Sequence, residues 1–216
     1  SLMRLYLSSQ YWGNQPQRLF ELVGSNTKNV GIITNSTDIF PEAGTLERVS
    51  RDVAFLKGHG FDAERLDLRD YFGRKESLEA KLKEFGLVWA VGGNTFLLRR
   101  AMRQSGFDEI IASMLKEDEI VYGGFSAGAC VAGSTLKGLA IVDDVNSVVE
   151  GYSSEIIWEG MSLVSTAIVP HYQSDHPESS GMDEVVINHK TSGVDYITLG
   201  DGEVMIVDGS DTKVLK

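Results

Sequence analysis

Near the middle of the chain, residues 120–132 have the sequence IVYGGFSAGACVA. The apolar run Ile120 to Tyr122 is typical of a buried strand, and the small residues after Ser126 favour a helix packed tightly on a sheet. Between them stands the pattern Gly-x-Ser-x-Gly, in which Gly124 and Gly128 leave room for neighbouring backbone. The segment therefore predicts a strand, a sharp turn at Ser126 and a helix.

The same alternation of strands and helices runs through the first half of the chain. Short runs rich in Val and Ile alternate with longer amphipathic stretches, as in sheets that helices cover on both faces. The predicted strands are Arg4–Ser8, Val30–Thr34, Phe61–Leu66, Leu87–Val91 and Ile120–Gly123. The predicted helices are Pro16–Val23, Gly44–Gly58, Lys75–Phe85, Thr95–Gln104 and Phe107–Lys116. We therefore predict an α/β fold with a mostly parallel sheet between two helical layers, similar to flavodoxin.

The second half has a different pattern from about Gly138 onward. Short β-like runs are joined by loops, and one helical stretch is predicted around Met182–His189. The runs are Leu139–Val142, Ser165–Val169, Tyr196–Leu199 and Val204–Val207. We expect these later strands to extend the same sheet, partly antiparallel. Because no linker rich in Pro, Gly or Ser marks a boundary, residues 1–216 are predicted to form one domain.

Composition limits the partners and the location. A formal net charge of -11 argues against binding to a phosphate backbone. The single cysteine, Cys130, cannot form an internal disulfide and is predicted to lie in the core, and the apolar runs are too short to cross a bilayer. We expect a cytoplasmic protein with neither a nucleic-acid nor a membrane partner. Ser1 and Leu2 precede Met3 and are interpreted as an added remnant, since no charged and apolar leader follows.

Ser126 is the candidate nucleophile of a hydrolase. A serine on a strand-to-helix turn has an exposed hydroxyl, and the first amides of the following helix have no intrahelical partner. The N–H of Ala127 is therefore available to an oxyanion. A second glycine turn, Gly92-Gly93, follows the strand Leu87–Val91 and is expected to offer a second amide if the two strands adjoin. The full Gly-x-Gly-x-x-Gly pattern is missing, which argues against a dinucleotide cofactor.

A serine hydroxyl needs a base, and the four histidines differ in their surroundings. His59 lies between glycines after a helix, and His189 lies near a helix end beside a lysine, so both are interpreted as structural. His171 follows a predicted strand and a proline, at a strand end where open α/β sheets place their sites. His171 is the favoured base, and His176 in the next polar loop is the alternative.

The base in turn needs a carboxylate that sets its tautomer. Asp201 lies just past a β-like run and between two glycines that permit a tight turn. Glu203 and Asp143 remain alternatives to Asp201, because a carboxylate at a strand end is common in a chain with 31 acidic residues.

Taken together, four ordered motifs resemble the peptidase E family. They are Val91–Phe96, Gly124–Ala129, Pro170–Tyr172 and Leu199–Gly202. The family includes aspartyl dipeptidase and, more distantly, cyanophycinase. The resemblance covers nearly the whole chain after about Val30, and it implies a fold similar to class I glutamine amidotransferases.

The resemblance implies a role for each residue of this chain that matches a family motif. Ser126 would be the nucleophile, His171 the general base and Asp201 the orienting acid of an exopeptidase that uses neither a metal nor another cofactor. The amides of Gly93 and Ala127 would bind the oxyanion, and Asn94 and Tyr172 would contact a small peptide substrate. Both a monomer and a homodimer are compatible with the sequence.

Three differences separate this chain from the family pattern. The family often has a glutamate where Asp201 stands, and a turn of three glycines where this chain has two. Aspartyl dipeptidases also carry an arginine downstream of the histidine, whereas this chain has no arginine after Arg103. We therefore expect a preference other than an N-terminal aspartate. A non-catalytic binding protein and an esterase that uses the order Ser126, Asp143, histidine remain alternative hypotheses.

Overall fold

The computed structural model describes residues 3–216, so Ser1 and Leu2, interpreted above as an added remnant, lie outside the described residues. The strands are β1 (Arg4–Ser8), β2 (Asn29–Ile33), β3 (Asp62–Leu66), β4 (Leu87–Ala90), β5 (Val121–Phe125), β6 (Ala167–Val169), β7 (Tyr196–Thr198), β8 (Val204–Asp208) and β9 (Asp211–Leu215). The α-helices are α1 (Gln17–Val23), α2 (Glu42–Gly58), α3 (Lys75–Leu82), α4 (Thr95–Ser105), α5 (Phe107–Lys116), α6 (Ala127–Cys130) and α7 (Ser179–Ser192).

Seven of these strands form the central sheet, in the order β3-β2-β4-β5-β1-β8-β9. The five strands from β3 to β1 are parallel, and β8 and β9 continue the sheet in antiparallel orientation. This arrangement confirms the predicted α/β fold with a mostly parallel sheet.

Successive side chains of a strand point to opposite faces of the sheet, and each face packs in a different apolar cluster. In β4, Leu87 and Trp89 pack with residues of α1 and α2, whereas Val88 and Ala90 pack with residues of α3, α4 and α5. All four side chains are completely buried. A strand that is apolar on both faces is therefore covered by helices on both faces, which gives the three layers.

The carboxyl ends of the parallel strands meet at one edge of the sheet. Ser126 directly follows β5, and its amide N–H donates to the carbonyl oxygen of Ser8 in β1 at 3.1 Å. The Gly92-Gly93 turn follows β4, which pairs with β5. Open α/β sheets carry their sites at this edge, and the candidate residues lie here.

The expectation that all later strands extend the sheet was wrong for β6 and β7, which pair with each other in a separate parallel sheet. Helix α6 is only four residues long, and the chain that follows it hydrogen-bonds the segment before β6: Ser134 N–H donates to Thr166 O at 3.1 Å. Ile168 of β6 belongs to the same apolar cluster as Val88 and Ala90 of β4, so this strand pair packs against the central sheet without pairing with it.

The β-like run Leu139–Val142 was also predicted wrongly, because residues Lys137–Ile141 form a 3-10 helix. Leu136 and Leu139 are buried three positions apart, while Ile141 is exposed. A spacing of three fits a 3-10 turn rather than a strand.

The hairpin partner β9 has no counterpart among the predicted strands. Within residues 3–216, no helix combines the length and the apolar character needed to cross a membrane.

Candidate active site

Ser126 occupies a strained turn between β5 and α6. Its backbone has φ +52° and ψ -114°, a conformation that residues with side chains rarely adopt. The turn is held by the hydrogen bond to Ser8 described above, and the side chain is half-buried. Ser126 therefore has the position and the partial exposure of a nucleophile on a sharp turn.

Two glycines allow the turn to fit against the neighbouring strand β4. A Cβ atom on Gly124 would lie 2.8 Å from the carbonyl oxygen of Ala90, and one on Gly128 only 2.0 Å from it. Real Cβ atoms do not approach an oxygen so closely. The prediction that these glycines make room for backbone is confirmed.

His171 lies just past β6 and is completely buried. Its Nε2 is 2.9 Å from Ser126 Oγ, and its Nδ1 is 2.7 Å from Asp201 Oδ1. Because a carboxylate only accepts hydrogen bonds, Nδ1 carries the proton, and the lone pair of Nε2 faces the serine hydroxyl. The three side chains form one continuous chain of hydrogen bonds.

The carboxylates that the sequence left open have separate environments. Glu203 Oε1 accepts the N–H of Gly200 at 2.6 Å and so closes the turn that carries Asp201. Asp143 Oδ2 accepts the N–H of Thr95 at 2.9 Å, at the start of α4. Asp201 is the one of the three that contacts the imidazole of His171.

His176, the alternative base, stacks on His171 instead of reaching Ser126. The ring centroids are 3.6 Å apart and the planes differ by 8°. Its Nδ1 accepts the N–H of Glu178 at 3.1 Å. His176 therefore covers the imidazole of His171 on one face.

Burial lowers the pKa of His171 from its usual value, and charge on His176 lowers it further. The hydrogen bond to Asp201 and the charge of that carboxylate raise the pKa, but they do not outweigh burial. His171 is consequently neutral near pH 7, the form that can accept a proton.

The Gly92-Gly93 turn lies beside the nucleophile, because β4 and β5 are neighbours. A Cβ atom on Gly92 would lie 3.1 Å from Ser126 Cβ. Gly93 has φ +152°, and a Cβ there would lie 2.4 Å from Ser36 O. The turn and the first residue of α6, Ala127, thus both adjoin Ser126, as the sequence predicts for two oxyanion amides.

A pocket of about 780 Å³ opens over Ser126. Its lining includes Arg48 and Arg51 of α2 and the acidic residues Asp143, Asp144 and Glu178. Burial and the nearby charge of Asp143 raise the pKa of Glu178 to about 7. The pocket therefore offers groups of both charges to a ligand beside the serine.

The two predicted substrate contacts have different positions. Asn94 lines the pocket, but its Oδ1 accepts the N–H of Leu97 and its Nδ2 donates to Asp144 O, both at 2.9 Å. Its amide group is thus engaged in capping α4. Tyr172 packs against the apolar cluster around β6 and α7, and its N–H donates to Leu199 O at 3.0 Å.

Among residues 3–216, one group of side chains could offer three atoms to a metal ion. The ligand atoms of His171, His176 and Glu178 lie within 4.8 Å of one another. Both ring nitrogens of His171 are engaged, by Ser126 and by Asp201. A metal ion bound to His171 would therefore displace either the serine hydroxyl or the carboxylate of Asp201 from the ring.

Sequence reasoning missed three residues that adjoin the site, namely Ser9, Arg48 and Glu178. Ser9 follows β1, so the strand-end argument used for His171 would also have indicated it. Glu178 lies two residues past His176 in the same polar loop. Arg48 lies in the predicted helix Gly44–Gly58, and only the packing of that helix against the sheet brings it to the pocket.

The chain is similar in sequence and in fold to known peptidases. Lmo0363 of Listeria monocytogenes serovar 1/2a, an uncharacterised peptidase, is 26% identical over 180 residues, or 80% of each chain. A crystal structure from L. monocytogenes EGD-e, named for peptidase E, has a TM-score of 0.78 at 21% identity, with 100% of this chain and 99% of that chain covered. A peptidase from an acI-B1 actinobacterium has a TM-score of 0.71 at 14% identity, with 99% and 87% covered. Residues 19–215 match the model of Peptidase family S51. Because that match includes nearly the whole chain, the protein belongs to peptidase family S51.

Proposed function

We propose that this peptidase is a serine-type exopeptidase that cleaves small peptides through Ser126, His171 and Asp201. The observation that carries the proposal is the hydrogen-bond chain from Ser126 Oγ through His171 to Asp201, with contacts of 2.9 and 2.7 Å. Family membership supports peptide hydrolysis in general. The chain of hydrogen bonds supports a serine as the nucleophile.

In the first half of the reaction, Ser126 Oγ attacks the carbonyl carbon of the scissile amide, and its proton passes to His171 Nε2. Asp201 stabilises the imidazolium that forms, through the Nδ1–H it accepts. The N–H groups of Gly93 and Ala127 donate to the oxyanion. The C–N bond then breaks, and the leaving amine takes the proton from Nε2, which leaves an acyl ester on Ser126.

In the second half, water attacks the ester carbonyl. His171 Nε2 accepts a proton from the water and then returns it to Ser126 Oγ as the C–O bond breaks. The products are a carboxylic acid and the free serine. The lowered pKa of His171 keeps the base neutral before each attack.

A small substrate is proposed from the pocket and from the resemblance to peptidase E. A volume of about 780 Å³ is in the range of sites that take small molecules. The arginines that line it are Arg48 and Arg51, which precede the nucleophile in the chain and do not follow the histidine. The proposal therefore does not extend to recognition of an N-terminal aspartate.

We place this activity in the cytoplasm on the grounds of composition. A single cysteine fits a reducing compartment, where structural disulfides are rare. A monomer and a homodimer are both compatible with the mechanism, since the proposed residues all come from one chain.

A fluorophosphonate probe tests the proposal, because it reacts only with a serine that a base has activated. The wild-type protein should be labelled, and Ser126→Ala should not. Ser105→Ala is a matched control, since Ser105 is a buried serine in α4. A panel of dipeptides and longer peptides, with products identified by mass spectrometry, should show release of terminal residues.

Absence of labelling on folded wild-type protein would contradict a catalytic serine. Ligand binding without turnover of any peptide would favour the non-catalytic alternative. Cleavage only within longer peptides would contradict the exopeptidase assignment while leaving the nucleophile in place.

A further inference from the structure

The segment that ends β1 contains a residue that the proposed mechanism does not use. Ser9 directly follows β1 and is completely buried. Its Oγ accepts the backbone N–H of His171 at 2.8 Å and donates to Asp201 Oδ1 at 2.8 Å. One hydroxyl therefore contacts the proposed base and the proposed acid.

The contact with Asp201 restrains the carboxylate. Asp201 Oδ1 accepts both the hydroxyl of Ser9 and the Nδ1–H of His171, at 2.8 and 2.7 Å. Two donors on one oxygen fix the plane of the carboxylate more tightly than one donor would. Both hydrogen bonds are made to an ionised group, the kind that is shortest and strongest in proteins.

The contact with His171 restrains the backbone that aims the imidazole. His171 has φ +58°, a conformation that residues other than glycine rarely adopt. Its N–H donates to the Ser9 side chain. The conformation that directs Nε2 toward Ser126 thus depends on a hydroxyl from another part of the chain.

Ser9 itself is held in place by the sheet. Its N–H donates to Glu203 O at 3.2 Å, and the preceding residue, Ser8, accepts the N–H of Ser126. Strand β1 is paired with β5 on one side and with β8 on the other. The end of β1 is therefore joined by hydrogen bonds to all three proposed catalytic residues.

We infer that Ser9 is a positioning residue of the active site, which fixes the orientation of His171 and Asp201 relative to Ser126. This inference rests on the proposed function, since it assigns Ser9 an effect on the reactivity of Ser126. Ser9 acts through the base and the acid, and the mechanism gives it no contact with the substrate.

The rate of fluorophosphonate labelling tests the inference, in wild type, Ser9→Ala, Asp201→Asn and the double variant. Ser105→Ala is the control, because Ser105 is also buried and its Oγ also donates one hydrogen bond and accepts another, in this case to Ala101 O and from Phe107 N–H. We expect Ser9→Ala to slow labelling by about 10- to 100-fold, since a misplacement of about 1 Å can cost on the order of 100-fold. Ser105→Ala should stay within about twofold of wild type, because it lies outside the site.

The double variant separates positioning from a general structural effect. If Ser9 acts through the His171–Asp201 pair, adding Ser9→Ala to Asp201→Asn should change the labelling rate by less than about threefold. The same loss in both backgrounds would overturn the inference, as would Ser9→Ala labelling at the rate of Ser105→Ala. A wild-type protein that is never labelled would instead overturn the proposed function.

Ser9→Cys keeps the test decisive if Ser9→Ala does not fold. The side chain of cysteine is only somewhat larger than that of serine, but its thiol is a weak hydrogen-bond donor and a weak acceptor. Folded Ser9→Cys should also label at least about tenfold more slowly than wild type. A wild-type rate in Ser9→Cys would overturn the inference.

Discussion

At the residue scale, the proposed chemistry depends on the short contact between Asp201 and His171. The carboxylate selects the tautomer with a proton on Nδ1, and only that tautomer presents a lone pair to Ser126. Asp201 is on a surface turn, with its side chain 27% exposed. A change at this position should therefore affect chemistry more than folding.

Asp201→Asn should lower kcat by about 10⁴-fold, because an amide favours the wrong tautomer of His171. The thermal unfolding temperature should change little. Steady-state kinetics on a cleaved peptide and a melting curve check both statements. Asp143→Asn is the comparison, since it removes a carboxylate of the pocket that contacts α4 and leaves the imidazole untouched. A collapse of activity in Asp143→Asn, with wild-type kinetics in Asp201→Asn, would contradict the assignment of the acid.

The lowered pKa of His171 predicts the pH dependence of activity. Neutral His171 is the proposed base, so kcat/KM should rise with pH through a midpoint below the usual histidine value of about 6.5. His176→Ala uncovers the ring and removes a neighbouring positive charge, so the pKa of His171 should rise and the midpoint should move to higher pH.

His59→Ala is the control for this pH experiment, because His59 stacks on Phe20 away from the site. If part of the change in kcat/KM near pH 7 comes from titration of Glu178, that part should disappear in Glu178→Gln. A midpoint that stays fixed or moves to lower pH in His176→Ala would show that His176 does not lower the pKa of the base.

At the element scale, the close approach of α6 to β4 explains why small residues follow the nucleophile. Gly128→Ala would place a methyl group 2.0 Å from Ala90 O, so the helix would have to move. We expect a loss of about 3 kcal/mol or more in the free energy of unfolding. Labelling of Ser126 should also slow, because the displaced helix carries the proposed oxyanion amide of Ala127.

Gly58→Ala is the matched control for Gly128→Ala, since a Cβ atom on Gly58 meets nothing within 4 Å at the end of α2. That variant should be neutral or gain up to about 1 kcal/mol of stability. Denaturant unfolding measures both changes. Equal stabilities of the two variants would contradict the packing argument.

How far the elements were predictable from sequence depends on how local their signals are. Strands β1, β2, β4 and β5 follow apolar runs, whereas β3 is a mostly polar strand between Phe61 and Leu66. The predicted bounds of all five differ from the structure by at most two residues. The turn Asp208-Gly209-Ser210-Asp211 contains an Asp-Gly hairpin signal that would have indicated β9. The separate pairing of β6 with β7 had no local signal, because it depends on the short length of α6 and on the chain after it.

The residues of the candidate site also differ in how far a local sequence pattern could predict them. Ser126 and His171 were predicted from strand ends, whereas the choice of Asp201 over Glu203 and Asp143 required the structure. Which of these carboxylates reaches the imidazole depends on the direction of its side chain within the turn. A sequence pattern gives no information about that direction. The stacking of His176 on His171 is likewise a contact that only the folded chain shows.

At the scale of the whole molecule, the burial of Asp52 makes the free energy of unfolding depend on pH. The residue is 2% exposed, and its Oδ2 has no hydrogen-bond partner within residues 3–216. Burial raises its pKa to about 6, although Arg48 lowers it in part. The protonated form is therefore favoured by folding, and stability decreases as pH rises from about 4 through 6.

Asp52→Asn removes this titration. Relative to wild type, the variant should be more stable by up to about 3 kcal/mol at pH 8, and the difference should vanish near pH 4. Denaturant unfolding at several pH values measures the difference. Asp62→Asn on the exposed start of β3 is the control and should show no comparable gain. A difference that stays constant with pH would contradict the role of Asp52.

The pairing of β1 with β8 also has a consequence for the timing of synthesis. Ser9 and Asp201, which meet at the site, are 192 positions apart in the chain. A ribosome makes Ser126 well before it makes Asp201, and β8 joins β1 only after the chain has emerged through Asp208. Nascent, stalled or truncated chains therefore carry the serine without an oriented base. Under the proposed mechanism, chains that end before Asp201 should not hydrolyse peptides.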